Sequence, residues 1–233
     1  MVNSKGRLYF AASLFNLGDK FFNASLAESL SQWFDVVLPQ KEGFEFSKLH
    51  EVLKGKVDEN EVEDVVNHLI YYLDVGYLLP GCDVCLARLD EPSDEGVISE
   101  MGHAKNGGIP VIGYRTDCRS PYGSSYNEVC GAHFFPAYDC DAFINFSSGK
   151  NSGVQEGRGE LRNLAKLVYN VSEEFLRSGN RVDWRSGVCY VGKTLFGGVG
   201  DLHSDEGLGE VVRRYFSLKE SFGSLSPAEI INA

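Results

Sequence analysis

An α/β fold, with a doubly wound parallel sheet and a C-terminal embellishment, is what this sequence predicts, and three observations predict it. Short apolar runs that read as buried strands alternate with segments of helical spacing. The first of these runs passes directly into such a segment, giving a β-α opening. The length of 233 residues, 43% of them hydrophobic, suits one generous domain, or one with an embellishment, at roughly 150 residues per domain. In order, residues 7–13 (Arg-Leu-Tyr-Phe-Ala-Ala-Ser) read as the first strand, and about 19–34, with Phe22, Leu26, Leu30 and Trp33, as the first helix. Residues 35–39 form a second short strand closed by proline, and 59–79 a helix on Val62, Val65, Val66, Leu69, Ile70 and Leu73. A strand follows at 83–89, then a helix at about 95–106 stopped by Gly107-Gly108, and a strand at 109–114. Beyond Arg115 the pattern weakens. Residues 142–146 are a candidate last strand, and 159–177 a convincing helix. Strands alternating with helices in this way predict a Rossmann/flavodoxin-like sheet with helices on both faces. The expected division is an α/β domain over 1–178 and a C-terminal extension over 179–233, where 190–209 is glycine-rich and 211–218 is a short helical candidate.

Composition narrows the function. Lys and Arg number 22 against 33 Asp and Glu, a formal charge of −11, so the clustered cations that displace counterions from nucleic-acid phosphates are missing. No nucleic-acid partner is expected. No run approaches the ~18 apolar residues of a membrane span, and the N-terminal residues lead straight into a strand rather than a signal peptide, so a chain with no membrane partner, cytoplasmic in location, is expected. Cys82 and Cys85 mimic half of a zinc site, but they lie in a strand-like run where residues three apart face opposite ways, and no second such pair exists. Buried free thiols are the simpler reading. The run Gly197-Gly198-Val199-Gly200 lacks the lysine of a phosphate-binding loop and reads as an ordinary loop.

Ligands of open α/β sheets bind beyond the carboxyl ends of the strands, and two such places carry polar residues: 9–16 and 88–103. In the second, Asp94 stands at a helix N-cap position and Glu100 follows six residues later. Val97, Met101 and Ala104 surround Glu100, which sets its carboxylate at the edge of an apolar stripe. An ionised but poorly solvated carboxylate is a good nucleophile toward an electron-poor carbon. Spacing alone equally describes a cap and a boundary glutamate.

Several motifs in order resemble those of the nucleoside 2-deoxyribosyltransferase family. These are Asp94-Glu-Gly96-Val-Ile-Ser-Glu100-Met-Gly, the strand Gly-Gly-Ile-Pro-Val-Ile-Gly-Tyr after it, the opening Leu8-Tyr9-Phe10 with its loop to Asn16, and Asp74 ahead of Gly-Cys-Asp83-Val. The likeness covers about residues 7–130. It implies that Glu100 attacks the anomeric carbon and holds a 2-deoxyribosyl ester, that Asp94 exchanges a proton with the base, and that Tyr9 orients Glu100. It further implies that Asp74, Gly96 and Asn127 bind substrate, with Asn127 reaching the sugar 5′-hydroxyl in a neighbouring subunit's site. The implied partners are 2′-deoxynucleosides, free nucleobases and further copies of the chain in a homo-oligomer. The implied chemistry uses no metal and no organic cofactor. A carboxylate nucleophile with a carboxyl proton donor suits cleavage through an oxocarbenium-like state with net retention. Exchange between bases is the leading expectation; hydrolysis of a deoxynucleoside or its 5′-monophosphate, and a non-catalytic nucleotide sensor, are the alternatives.

The sequence departs from the family pattern in places. Val129 stands where the family carries methionine, His103 where tyrosine is common, and Ala11-Ala12-Ser13 where the first loop is often glycine-rich. Ser13, Ser124 and Ser125 are either phosphate contacts of a nucleotide hydrolase or plain surface hydroxyls.

Overall fold

Five short apolar runs pair into one all-parallel sheet in the order β2-β1-β3-β4-β5, the doubly wound arrangement expected from the alternation of elements. The computed structural model describes residues 5–43, 46–123, 131–146, 153–178 and 187–222. The strands are β1 (Gly6–Ala11), β2 (Phe34–Val37), β3 (Val84–Arg88), β4 (Val111–Arg115) and β5 (Ala142–Asn145). Tyr9 pairs with Val37 on one side and Cys85 on the other, and Cys85 continues to Val111. All of β4 is buried, as are Leu8–Ala11 of β1 and Val84–Ala87 of β3, because parallel strands are covered on both faces.

Alternation along β1 divides its side chains between those faces. Leu8 and Phe10 join Val84, Leu86, Ile112 and Tyr114 in a core closed by α1 (Leu17–Leu30) and α7 (Val154–Ser178). From α1 this core takes Leu26 and Leu30, and from α7 Leu164 and Val168, none of them accessible to solvent. Each such burial contributes about 1.5–3 kcal/mol. Tyr9 points the other way, toward α5 (Glu95–Asn106), which packs on β1, β3 and β4.

Local signals set the helix ends. The Asn16 side chain caps α1 by accepting from the Asp19 amide at 2.9 Å, and the Asp94 carboxylate caps α5 by accepting from the Val97 amide at 3.1 Å. Helix α5 stops at Gly107, followed by Gly108 at φ +74°. Its bounds are those read from the sequence. Helix α1 ends earlier than expected, because Trp33 and Phe34 turn into β2, and α7 begins five residues earlier than its apolar spacing suggested.

The chain forms two compact units: residues 1–40 with 81–182, which hold the sheet, and 41–80 with 183–233. The short α2 (Pro39–Glu42) leads from one stretch to the other. In the second unit α3 (Phe46–Leu53) packs on α4 (Val62–Tyr71) and on α9 (Asp205–Phe222), while α8 (Gly187–Phe196) packs on α9 and on residues 72–78. The His68 ring and the Tyr215 hydroxyl meet at 2.7 Å to tie α4 to α9. One sequence expectation is corrected here. The stretch 59–79 is not one α-helix: after α4 the chain widens into a π-helix over Tyr72–Leu78, in which the Leu79 amide donates to the Asp74 carbonyl five residues back. The glycine-rich 190–209 is largely helical, its glycines at 197–200 forming the turn between α8 and α9 with Gly198 at φ +70°. Arg214 closes that turn by donating to the carbonyls of Thr194, Leu195 and Gly197.

Candidate active site

In a 2-1-3-4-5 sheet the strand order reverses between β1 and β3, and the crevice beyond their carboxyl ends is where such folds take ligands. Tyr9 lies on β1 at this reversal, and the Tyr9 hydroxyl donates to Glu100 Oε1 on α5 at 2.7 Å. The phenol is wholly buried and the glutamate partly so. The spacing that made Glu100 a boundary residue explains the contact. Val97, Met101 and Ala104 face the sheet and are buried, and Glu100 flanks them, low enough on the helix to meet the strand below. The thiol of Cys85, beside Tyr9 in the sheet, is held protonated well above its ordinary pKa by burial, and the Glu100 charge adds to this.

Asp94 stands at the start of the same helix and lines a polar pocket of about 480 Å³. The pocket is walled from the carboxyl ends of β1, β3 and β4 and the segments after them: by Ser13, Asn16 and Asp19, by Arg88, Asp90, Glu91, Pro92 and Asp94, and by Thr116, Asp117 and Arg119. Gly96 follows within the first turn, where an added Cβ would come to 3.0 Å from Asp94 Oδ1. Glycine there leaves the capping carboxylate its room.

Two carboxylates that the sequence reading did not single out bind this pocket together. Asp90 accepts from Arg88 Nε at 2.7 Å, from the Thr116 amide and hydroxyl at 2.6 and 2.7 Å, and from the Asp117 amide at 2.8 Å. Asp117 accepts in turn from the Glu91 amide at 3.2 Å and from Arg119 at both amide and guanidinium. The Arg119 bonds hold the Asp117 carboxyl down to about 2. Arg119 also reaches the Glu91 carbonyl. These links stitch the loop before α5 to the loop after β4, and so fix the helix start that carries Asp94. Arg88, stacked over Phe22 with its charge 4.5 Å from the ring centre, adds an ion pair to Asp19 at 3.1 Å. Both placements follow a strand end, Asp90 two residues past β3 and Asp117 two past β4, and that position was the available signal.

The sequence reading named further residues. Asp74 lies in the π-helical segment of the second unit, where burial pushes its carboxyl up to about 7. His103, three residues beyond Glu100, is partly buried, and burial lowers its pKa. Asn127, with Ser124, Ser125 and Val129, lies outside the described residues. Among the described residues no disulfide joins Cys82, Cys85, Cys118, Cys140 or Cys189. Among the described residues no three His, Cys, Asp or Glu side chains are grouped to hold a metal ion, and no helix is long and apolar enough to cross a membrane.

Residues 8–178 match the family model for nucleoside 2-deoxyribosyltransferase. No curated protein matches the chain. The family match stops where α7 stops, leaving α8 and α9 beyond it.

Proposed function

The chain belongs to the nucleoside 2-deoxyribosyltransferase family, an enzyme family acting on nucleosides, and from that premise we propose that it exchanges bases on 2′-deoxynucleosides by a retaining double displacement. The observation that carries this reading is the 2.7 Å hydrogen bond from Tyr9 to Glu100 at the sheet's switch point. A buried phenol that donates to the carboxylate holds the side chain in one rotamer, and a carboxylate held in place at a crevice is what attack on an anomeric carbon needs. In the first displacement a Glu100 oxygen bonds to the anomeric carbon as the bond to the base nitrogen breaks. The electron pair leaves with the base, and Asp94 supplies its proton. In the second, an incoming base attacks the same carbon while Asp94 takes up its proton, and the released ester oxygen restores the Glu100 carboxylate.

Asp94 suits the proton-transfer role because it faces a pocket large enough for a base while its backbone is held by the loops described above. Asp74, with its carboxyl raised to about 7, carries both protonated and ionised forms near neutrality and so offers a base either a donor or an acceptor. Gly96 contributes to the substrate site as part of the same helix start, and Asn127 contributes from a neighbouring subunit of a homo-oligomer. The enzyme acts on deoxynucleosides and free bases, with no cofactor in the reaction.

Trapping with a slow 2-fluoro-2-deoxynucleoside tests the nucleophile. Mass spectrometry is expected to find one fluorodeoxyribosyl group on the peptide containing Glu100, and none on the Glu100→Ala variant; a label on another residue overturns the assignment. Incubation with deoxyinosine and adenine then separates the two outcomes of that ester. Deoxyadenosine identifies exchange, whereas free deoxyribose as the sole sugar product identifies hydrolysis.

A further inference from the structure

The widest departure from regular helix geometry in the described residues is the π-helical segment Tyr72–Leu78, and it is where Asp74 sits. Seven residues of this geometry are uncommon, because α-helical hydrogen bonding is better aligned, and such turns occur frequently at functional sites. Packing against this segment comes from α8, in the part of the chain beyond the family match. Gly192 of α8 meets Gly76 backbone to backbone. A Cβ built on Gly192 would lie 2.2 Å from the Gly76 carbonyl carbon, 2.4 Å from its oxygen and 2.6 Å from its Cα. No side chain fits there, and backbone atoms cannot swing aside as a flexible side chain can. One turn later Phe196, 1% exposed, sets its ring 5.7 Å from that of Tyr77. Val191 and Leu195, at 1% and 0% exposure, complete the buried side of α8.

We propose that α8 is a positioning element for Asp74: the Gly192–Gly76 crossing and the Phe196–Tyr77 contact hold the π-helical turn in register, and that register sets where the Asp74 carboxylate is presented. A π turn carries one residue more than an α turn, so relaxing it to α geometry would swing Asp74 by roughly the 100° that separates successive helical residues. This gives the C-terminal extension a role in the chemistry of a residue more than a hundred positions earlier. It rests on the reading that Asp74 contacts the base.

The test uses the full-length chain in three variants, with Asp74→Asn alongside. Gly192→Ala closes the backbone approach, Phe196→Leu loosens the ring contact while leaving room for the crossing, and Gly209→Ala on α9, with nothing within 4 Å of the added carbon, is the control. Amide exchange of Leu79, whose N–H donates to the Asp74 carbonyl, reads the π turn directly. Steady-state exchange kinetics read the KM for the acceptor base apart from kcat. Folded Gly192→Ala is expected to exchange the Leu79 amide at least about tenfold faster and to raise the base KM about tenfold, with kcat within about twofold. Phe196→Leu is expected to move both in the same direction and carries the test should Gly192→Ala not fold; Gly209→Ala is expected to move neither. Unchanged Leu79 exchange, or a wild-type base KM in a folded variant when Asp74→Asn raises it, overturns the positioning role. Faster Leu79 exchange together with a wild-type KM in Asp74→Asn upholds the positioning and overturns the base-binding reading instead.

Discussion

Replacing Tyr9 by phenylalanine removes a single oxygen and leaves the ring in its pocket, which makes it the sharpest probe of the proposed nucleophile. The lost interaction is an O–H donor 2.7 Å from a carboxylate oxygen, on a tyrosine with 0% exposure. Hydrogen bonds to charged groups contribute about 1.5–3 kcal/mol. If the bond holds Glu100 in its attacking rotamer, most of that energy is lost from the transition state, and at about 1.4 kcal/mol per factor of ten the expected fall in kcat is about 10- to 150-fold. The KM for the nucleoside should change less than about threefold, since the phenol acts through Glu100 and has no assigned contact with the base. Rapid-quench measurement of base release isolates the first displacement, where the whole loss is expected. A Tyr9→Phe enzyme that forms its glycosyl ester at the wild-type rate would refute the orienting role and leave the hydrogen bond as a feature of folding only.

Asp90 has four donors at its two oxygens, and an amide in its place turns an NH2 group toward some of them; Asp90→Asn should cost about 2–4 kcal/mol by urea unfolding, and an unchanged midpoint would sink the clamp. Gly113→Ala puts a Cβ 2.4 Å from Cys140 Sγ and 3.1 Å from Leu89 and Phe143 in the sheet, an overpacking that should cost about 1–3 kcal/mol in the same assay. Asp74 supplies the pH dependence. Its folded pKa of about 7 stands above the ordinary 3.8, so between those values the folded chain binds the proton that the unfolded chain has released. Its contribution to stability therefore falls as pH rises from about 4 to 7 and is flat outside that window. Asp74→Asn should remove this slope and raise Tm at pH 8 more than at pH 4, and equal shifts at both would count against the burial of the carboxyl.

Some of this was legible in the sequence for local reasons. Helix α5 announces itself at both ends, by the Asp94 cap and the Gly107-Gly108 stop, and β1, β3 and β4 are apolar runs bounded by polar residues. Tyr9, Asp94 and Glu100 were singled out through a motif, and the Tyr9–Glu100 contact follows from strand and helix periodicity once β1 and β3 are neighbours. The π-helical turn was not legible, because apolar residues recur through 62–79 as they would in a plain α-helix, and packing against α8 accompanies the change. Helix α8 was itself hidden by the glycines that let it approach so closely. Asp90 and Asp117 escaped for a different reason. They join two loops 26 residues apart in the chain, and no period or motif in a single stretch records such a link.

The second unit draws one half of its core from residues 41–80 and the other from beyond residue 183. During synthesis the earlier half emerges and waits for roughly a hundred more residues, which at about 5–20 residues per second is roughly 5–20 s. Over that interval residues 72–78 lack α8 and α3 lacks α9, and a nascent chain halted before residue 187 would leave those faces uncovered. The second unit thus depends on α8 and α9 for completion, and a truncation that spares the entire sheet should still be recovered as insoluble protein.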